Sequence, residues 1–361
     1  MAAATAAKIQ ELGDLELAAL LCLTADEHCI ITSESKLVND VAQELLLICK
    51  RIFGLSCALV ECSRDTTLDD FREAVLVGTD DGDFETPHGK HFEPDRSPLA
   101  THHFRPARNL SYQASSASNT LDERRVAEVV IAKNLNQANN HVQIQALELI
   151  RTKRLYSSSA MHGTSKKFLF VALHGTTPRT GLTHHLNELF SISHHHSIAD
   201  GLPNLEDART RGIVASDSAS TISGQSSDGN ESVFTPTELD ALRSATDSVR
   251  LTAEVAAYLH NIVVFMRLNR YVGGGASASA TRHFRRVSKA LAPLHGLTYV
   301  SPSLVALAAR KVYPHRLVLA TPTTERSLQW GSDVEAVREM LKDVSVADAI
   351  EDVLSSVETP L

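Results

Sequence analysis

The chain has 361 residues, 43% of them hydrophobic and 22% charged, with a formal net charge of −8. That length accommodates about two or three domains and a sizeable core, and the acidic balance excludes the broad basic footprint that nucleic acid or an anionic membrane surface requires. The longest apolar stretch, Leu15 to Leu23, is interrupted by Glu16 and is too short to span a bilayer.

All five cysteines (Cys22, Cys29, Cys49, Cys57 and Cys62) lie near the start of the chain, with no CxxC pair and no partner at zinc spacing. They read as buried thiols in a reducing compartment. The opening MAAATAAKIQELGD has neither a basic n-region nor an apolar h-region, so the expectation is a soluble cytoplasmic protein.

In chain order, Leu15 to Leu23 has a helical pattern and Cys29-Ile30-Ile31 is a buried-strand candidate. Leu37, Val41, Leu45, Ile48 and Ile52 recur at spacings of three and four, one face of a helix that Gly54 ends. Cys57 to Cys62 reads as a second strand, and Thr67 to Phe71 as a capped helical turn. This alternation predicts an α/β fold with a parallel sheet and crossover helices.

Residues 78–121 are poor in aliphatics and predict a disordered insertion. A strand over Ala127 to Ala132, a helix over Asn140 to Leu155 and a strand over Phe168 to Leu173 follow. Leu182 to Phe190 predicts a short helix, Ile192 a brief strand, and Ser197 onward a loop. Residues 206–232 are rich in Ser, Asp and Gly and predict a disordered linker.

Thr235-Pro236-Thr237-Glu238 then carries a helix-start signature: Thr at the N-cap, Pro at the first position, Glu in the first turn. Helices over Ala253 to Tyr271, Ala280 to Leu294 and Pro302 to Val312 form a bundle. A C-terminal pair spans Asp333 to Leu341 and Val346 to Val357. The expected organisation is an α/β core over 8–205, the linker, a helical domain over 233–320, and C-terminal helices over 330–361.

Three blocks in this order resemble AAA+ proteins of the magnesium chelatase I subunit/MoxR branch. The first runs from Val130-Ile131-Ala132 through Leu135-Asn136-Gln137-Ala138 to Val142-Gln143 and Leu147-Glu148. The second joins Thr235-Pro236-Thr237-Glu238-Leu239 to Val255-Ala256-Ala257-Tyr258-Leu259. The third runs from Gly275-Ala276-Ser277 through Lys289-Ala290-Leu291-Ala292 and Tyr299-Val300-Ser301-Pro302 to His315-Arg316. The blocks cover most of the chain expected to be ordered and are also similar to a fungal group of magnesium chelatase-like sequences. The resemblance implies a Rossmann-like AAA+ core with a parallel sheet and a C-terminal helical lid, assembled as a ring, with ATP and Mg²⁺ as the family's cofactors.

The catalytic positions the resemblance implies hold the wrong residues. ATP hydrolysis needs backbone amides around the phosphates, a lysine on their oxygens, an acid on Mg²⁺ and a base on water. After the first strand stands Thr32-Ser33-Glu34-Ser35-Lys36-Leu37, without the glycines that let a backbone approach pyrophosphate. Lys36 is a relic of the phosphate lysine or a surface lysine at a helix start. The metal-organising and water-activating acids fall on Lys133 and Asn134. The γ-phosphate sensor falls on Gly175, the arginine finger before Phe190 on Leu189, and the lid arginine on Ser279, with Arg282 as a substitute on the same helix face.

Lys36, Asn134, Ser279 and Arg282 are thus the candidate residues of a degenerate nucleotide pocket. No catalytic residue is expected. Loss of the base alone is worth roughly 10²- to 10⁴-fold, and loss of an arginine finger roughly 10³- to 10⁵-fold.

The histidines at 184, 185, 194, 195 and 196 have a metal-binding density, but without a fixed acidic or thiol partner they read as a solvated loop. Gly273-Gly274-Gly275 reads as a flexible lead-in to the lid helix rather than a phosphate loop, because no strand is expected before it. Ser223 to Ser232 lacks a His/Asp framework for a nucleophile. The expected function is a non-hydrolysing pseudo-ATPase acting as a scaffold for a protein partner or an AAA+ paralogue in a homo- or hetero-oligomeric ring. The competing expectation is a chelatase I-type subunit coupling ATP hydrolysis to Mg²⁺ insertion into protoporphyrin IX, or to partner remodelling.

Overall fold

A computed structural model describes residues 2–78, 124–157, 160–176, 181–212 and 232–360. The first half contains α1 (Ala2–Gln10), α2 (Asp14–Ala25), β1 (Cys29–Ser33), α3 (Val38–Leu47), β2 (Cys57–Glu61), α4 (Leu68–Ala74), β3 (Leu76–Val77) and β4 (Arg125–Val126). Then follow β5 (Val129–Lys133), α5 (Asn140–Thr152), β6 (Arg154–Tyr156), β7 (Met161–Gly163), β8 (Leu169–Gly175), α6 (His184–Asn187), β9 (Ile192–His196) and α7 (Pro203–Thr210). The remainder comprises α8 (Pro236–Ser248), α9 (Ala253–Leu268), β10 (Val272–Gly274), α10 (Ala278–Leu294), α11 (Pro302–Val312), β11 (Val318–Leu319), α12 (Val334–Leu341) and α13 (Val346–Ser356).

The main sheet has five strands in the order β2-β5-β8-β1-β9, and every neighbouring pair is parallel. Alternation along the strands divides its side chains between two cores. Cys29, Ile31, Val129, Ile131 and Val171 face α2, α3 and the C-terminal helices, while Ile30, Val130, Ala132 and Phe170 pack with Phe71, Val142, Ala146 and Leu186 of α4 to α6. Burial on both faces explains why the strands read as continuous apolar runs.

The C-terminal helices share the first of these cores, so their packing onto the α/β core is apolar rather than tethered. Asp26, just after α2, ties the same junction. It pairs with Lys153 at 3.1 Å and with Arg243 of α8.

Caps set the helix starts. Thr235 accepts the Glu238 N–H at 3.2 Å while Glu238 accepts the Thr235 N–H at 2.8 Å, the reciprocal arrangement that satisfies two orphan amides. Ser277 caps α10 through the Ala280 N–H at 3.0 Å, and Ser301, followed by Pro302, caps α11.

Three expectations are corrected. Ser197 does not begin a loop, nor 206 a disordered linker: Ile198–Asp200 forms a 3₁₀ turn and α7 follows. The buried Glu44 carboxylate accepts the N–H groups of Asn204 at 3.1 Å and Leu205 at 2.6 Å, replacing the missing partners of the helix N-terminus. Leu205 and Ala208 alone supply its apolar contact with Leu47, too few to mark a helix in a charged sequence.

The histidines at 194–196 are not a solvated loop but part of the edge strand β9, with His194 and His196 buried and His195 exposed. Gly273-Gly274-Gly275 is not a flexible lead-in: β10 pairs antiparallel with β11, and Gly275 has φ +101° against the Arg316 carbonyl. All five cysteines are buried and free. The expected insertion at 78–121, apart from Gly78, and the linker beyond Gly212 up to Ser232 lie outside the described residues, as does most of the Ser223 to Ser232 segment.

Candidate functional site

The turn between β1 and α3 would have to cradle phosphate. It contains only Glu34, Ser35, Lys36 and Leu37, closed by the Leu37 N–H donating to the Glu34 carbonyl at 2.9 Å. This short turn folds onto the end of β8. A methyl group placed on Gly175 would lie 2.7 Å from Ser35 Oγ and 3.1 Å from Ser35 Cα. The Thr176 N–H donates to the Ser33 carbonyl at 2.8 Å. The backbone between the phosphate-loop and sensor positions is therefore in van der Waals contact, with Lys36 exposed outside it.

At the end of β5, Lys133 is only 8% exposed. Its Nζ lies 2.6 Å from Glu61 Oε1 on the neighbouring β2 and donates to Asn39 Oδ1 of α3 at 2.8 Å. A buried ammonium is tolerated only when paired and hydrogen-bonded, and here β2 and α3 supply both partners. Asn134 takes a left-handed conformation, φ 57°, opening the 3₁₀ turn Leu135–Gln137, and its N–H donates to the Leu173 carbonyl at 2.7 Å. At the two positions that the resemblance assigns to the metal-organising acid and the base stand a paired cation and an amide, side chains whose chemistry does not fit Mg²⁺–ATP.

The lid closes the other side. Ser279 Oγ reaches the Glu188 carbonyl at 3.5 Å and Ser277 Oγ donates to Glu188 Oε2 at 2.5 Å. Arg316, fully buried in its side chain, lies 3.6 Å from the same carboxylate and also donates to the Phe190 carbonyl. His315 Nε2 donates to that carbonyl at 2.9 Å, and Asn187 Nδ2 donates to the His315 carbonyl at 2.8 Å. The segment expected to carry an arginine finger is thus bonded to the chain's own lid. Arg282 is exposed on α10. No hydrogen bond or ion pair joins any two of Lys36, Asn134, Ser279 and Arg282 among the described residues.

A polar cleft of about 750 Å³ remains at the carboxyl ends of β1, β8 and β9, beneath the lid. Thr32, His174, His195, Asp200, Lys311 and His315 line it, together with Asp14 and His194. None of the four candidate pocket residues does. Burial holds His174 and His194 neutral, with pKa values lowered to about 4, and burial followed by the neighbouring Arg316 lowers His315 to about 3. His184 and His185 stack edge to face at 5.7 Å. Among the described residues no three His, Cys, Asp or Glu side chains are placed to hold a metal ion. Period-two alternation of β9 would have revealed His194 and His196 as inward-facing, had the strand been extended past Ile192.

The model of the AAA lid domain matches residues 265–340, from α9 into α12. A solved structure from Cytophaga hutchinsonii, provisionally described as an ATPase, superposes with a TM-score of 0.63 over 99% of this chain and 93% of its own, at 15% identity. The fold is that of an AAA+ core with a helical lid. A parallel-sheet core followed by a helical lid is the fold that the blocks from Val130 to Arg316 imply.

A curated relative, the maintenance of telomere capping protein 2 of Lachancea thermotolerans, is 27% identical over 118 residues. That alignment covers 31% of this chain and 41% of the relative, so the chain is matched to less than half of that protein. Among the described residues no helix is long and apolar enough to cross a membrane.

Proposed function

We propose that the chain is a non-hydrolysing AAA+-like protein of the magnesium chelatase/MoxR class, a pseudo-ATPase that serves as an assembly or interaction scaffold. Lys133 carries this reading. Its buried ammonium, held between Glu61 and Asn39, occupies the place of the Mg²⁺-organising acid and repels the ion that ATP chemistry requires. The compressed turn at Ser35 and the neutral Asn134 support the same reading.

Purified protein with Mg²⁺–ATP is expected to release phosphate no faster than buffer, and Lys36→Ala to leave that rate unchanged. Turnover above background that disappears in Lys36→Ala would instead overturn the pseudo-ATPase scaffold reading.

Several large apolar side chains on and just beyond the lid are exposed. Phe265, Leu268, Val318 and Val334 are exposed, and Trp330, the sole tryptophan, is 88% exposed. Exposed apolar surface marks interaction sites, and tryptophan is enriched at binding hot spots. The partner of this scaffold is a further AAA+ copy or paralogue in a ring, or another protein; the likeness to the telomere capping maintenance protein makes that process the first place to seek one. Association is expected to shift Trp330 emission to the blue. Trp330→Ala should weaken association at least about tenfold, equivalent to roughly 1.4 kcal/mol, with an unchanged circular dichroism spectrum. Unaltered association in the variant would remove Trp330 from the interface.

A further inference from the structure

A second cavity, of about 550 Å³, lies on the other side of β9, between the N-terminal helices and the lid. Ile9, Leu17 and Leu21 of α1 and α2 form one wall; Leu291, Leu294 and Leu307 of α10 and α11 form the other. Its volume is in the range of small-molecule sites, which favour such junctions between structural units. The cavity shares three residues with the polar cleft: Asp14, His194 and Lys311. An apolar chamber and a polar chamber therefore adjoin across these side chains.

The junction is chemically incomplete. Asp14, in the first turn of α2, and Lys311, in the last turn of α11, make neither an ion pair nor a side-chain hydrogen bond among the described residues. Each is placed where its own helix dipole favours its charge. Between them His194 is 7% exposed, with a buried Nε2 that has no hydrogen-bond partner. A head group of either single charge would meet one like charge here. A head bearing both charges meets two opposite ones.

We propose that the paired chambers bind a single-chain amphipath with a zwitterionic head, of the lysophospholipid kind, its chain among the leucines and its head between Asp14 and Lys311. Such a ligand would bridge α1 and α2 to α10 and α11, fastening the lid to the core. The inference goes beyond the scaffold reading and stands whether or not the chain turns over ATP.

Calorimetric titration of the full chain with lysophosphatidylcholine, kept below its micelle concentration, tests this. A fatty acid, an alkyltrimethylammonium and a fatty alcohol of equal chain length serve as comparators. Saturable binding of one molecule per chain is expected, tightest for the zwitterion. Asp14→Asn and Lys311→Gln, both at solvent-accessible positions, should each weaken it about five- to tenfold. For the fatty acid, Asp14→Asn should instead tighten binding, because a like charge is removed. Absence of saturable binding, equal affinity for all four heads, or indifference of the zwitterion to both substitutions would overturn the proposal.

Discussion

Lowering the pH from 7 to 4 is expected to cost the protein on the order of 5 kcal/mol of stability or more, enough to unfold a domain of ordinary stability. His28 is one of four histidines responsible. It is 6% exposed, stacks edge to face on Phe168 with centroids 5.6 Å apart, and accepts the Phe170 N–H at Nδ1, 3.1 Å away. Burial, reinforced by the positive Lys153, lowers its pKa to about 3. His315 is lowered equally, and His174 and His194 to about 4.

In the unfolded chain these rings take up protons near pH 6.5, whereas the folded chain resists until pH 3 to 4. The unfolded state therefore binds more protons as the pH falls. The stability these groups contribute is complete above about pH 6.5 and is lost progressively toward their folded values, at up to about 1.36 kcal/mol per pH unit for each. Thermal melts across this range should show the decline. His28→Asn, which keeps an acceptor for Phe170 but cannot be protonated, should be less stable at pH 7 yet show a shallower fall. A melting temperature constant from pH 6.5 to 4.5 would refute the account.

Gly275→Ala is expected to destabilise the chain by about 3 kcal/mol or more. At φ +101° the backbone itself disfavours a side chain, and the added methyl would lie 2.1 Å from the Arg316 carbonyl oxygen and 2.8 Å from Leu317 Cα. Neither atom can easily yield. Arg316 is fixed through Phe190 and Glu188, and two residues beyond Leu317 the chain pairs with β10. Gly274→Ala has open space and should change stability by less than about 1 kcal/mol. Denaturant midpoints of the two variants provide the comparison; equal midpoints would show that the contact at Arg316 is relaxed at little cost.

The parallel sheet and the lid helices were legible because their determinants are local: continuous apolar strands, periodic helix faces, and caps at Thr67 and Thr235. Long-range placement was not. Leu205 and Ala208 are too few to announce α7, whose start depends on Glu44 far earlier in the chain. Gly275 looked flexible because its constraint is the Arg316 carbonyl. That no acid stands at 133 or 134 could be read from residue identity alone. That Lys133 is paired could not, because Glu61 becomes its neighbour only once β2 lies beside β5 in the sheet.

That pairing also limits what residue 133 can become. Replacing Lys133 with aspartate would set a carboxylate beside Glu61, across two strand ends in register, and leave Asn39 without its donor. Like charges at such a position destabilise. An acid at this strand end therefore lowers stability before it can serve any metal, and a coordinated change at Glu61 would remove the barrier.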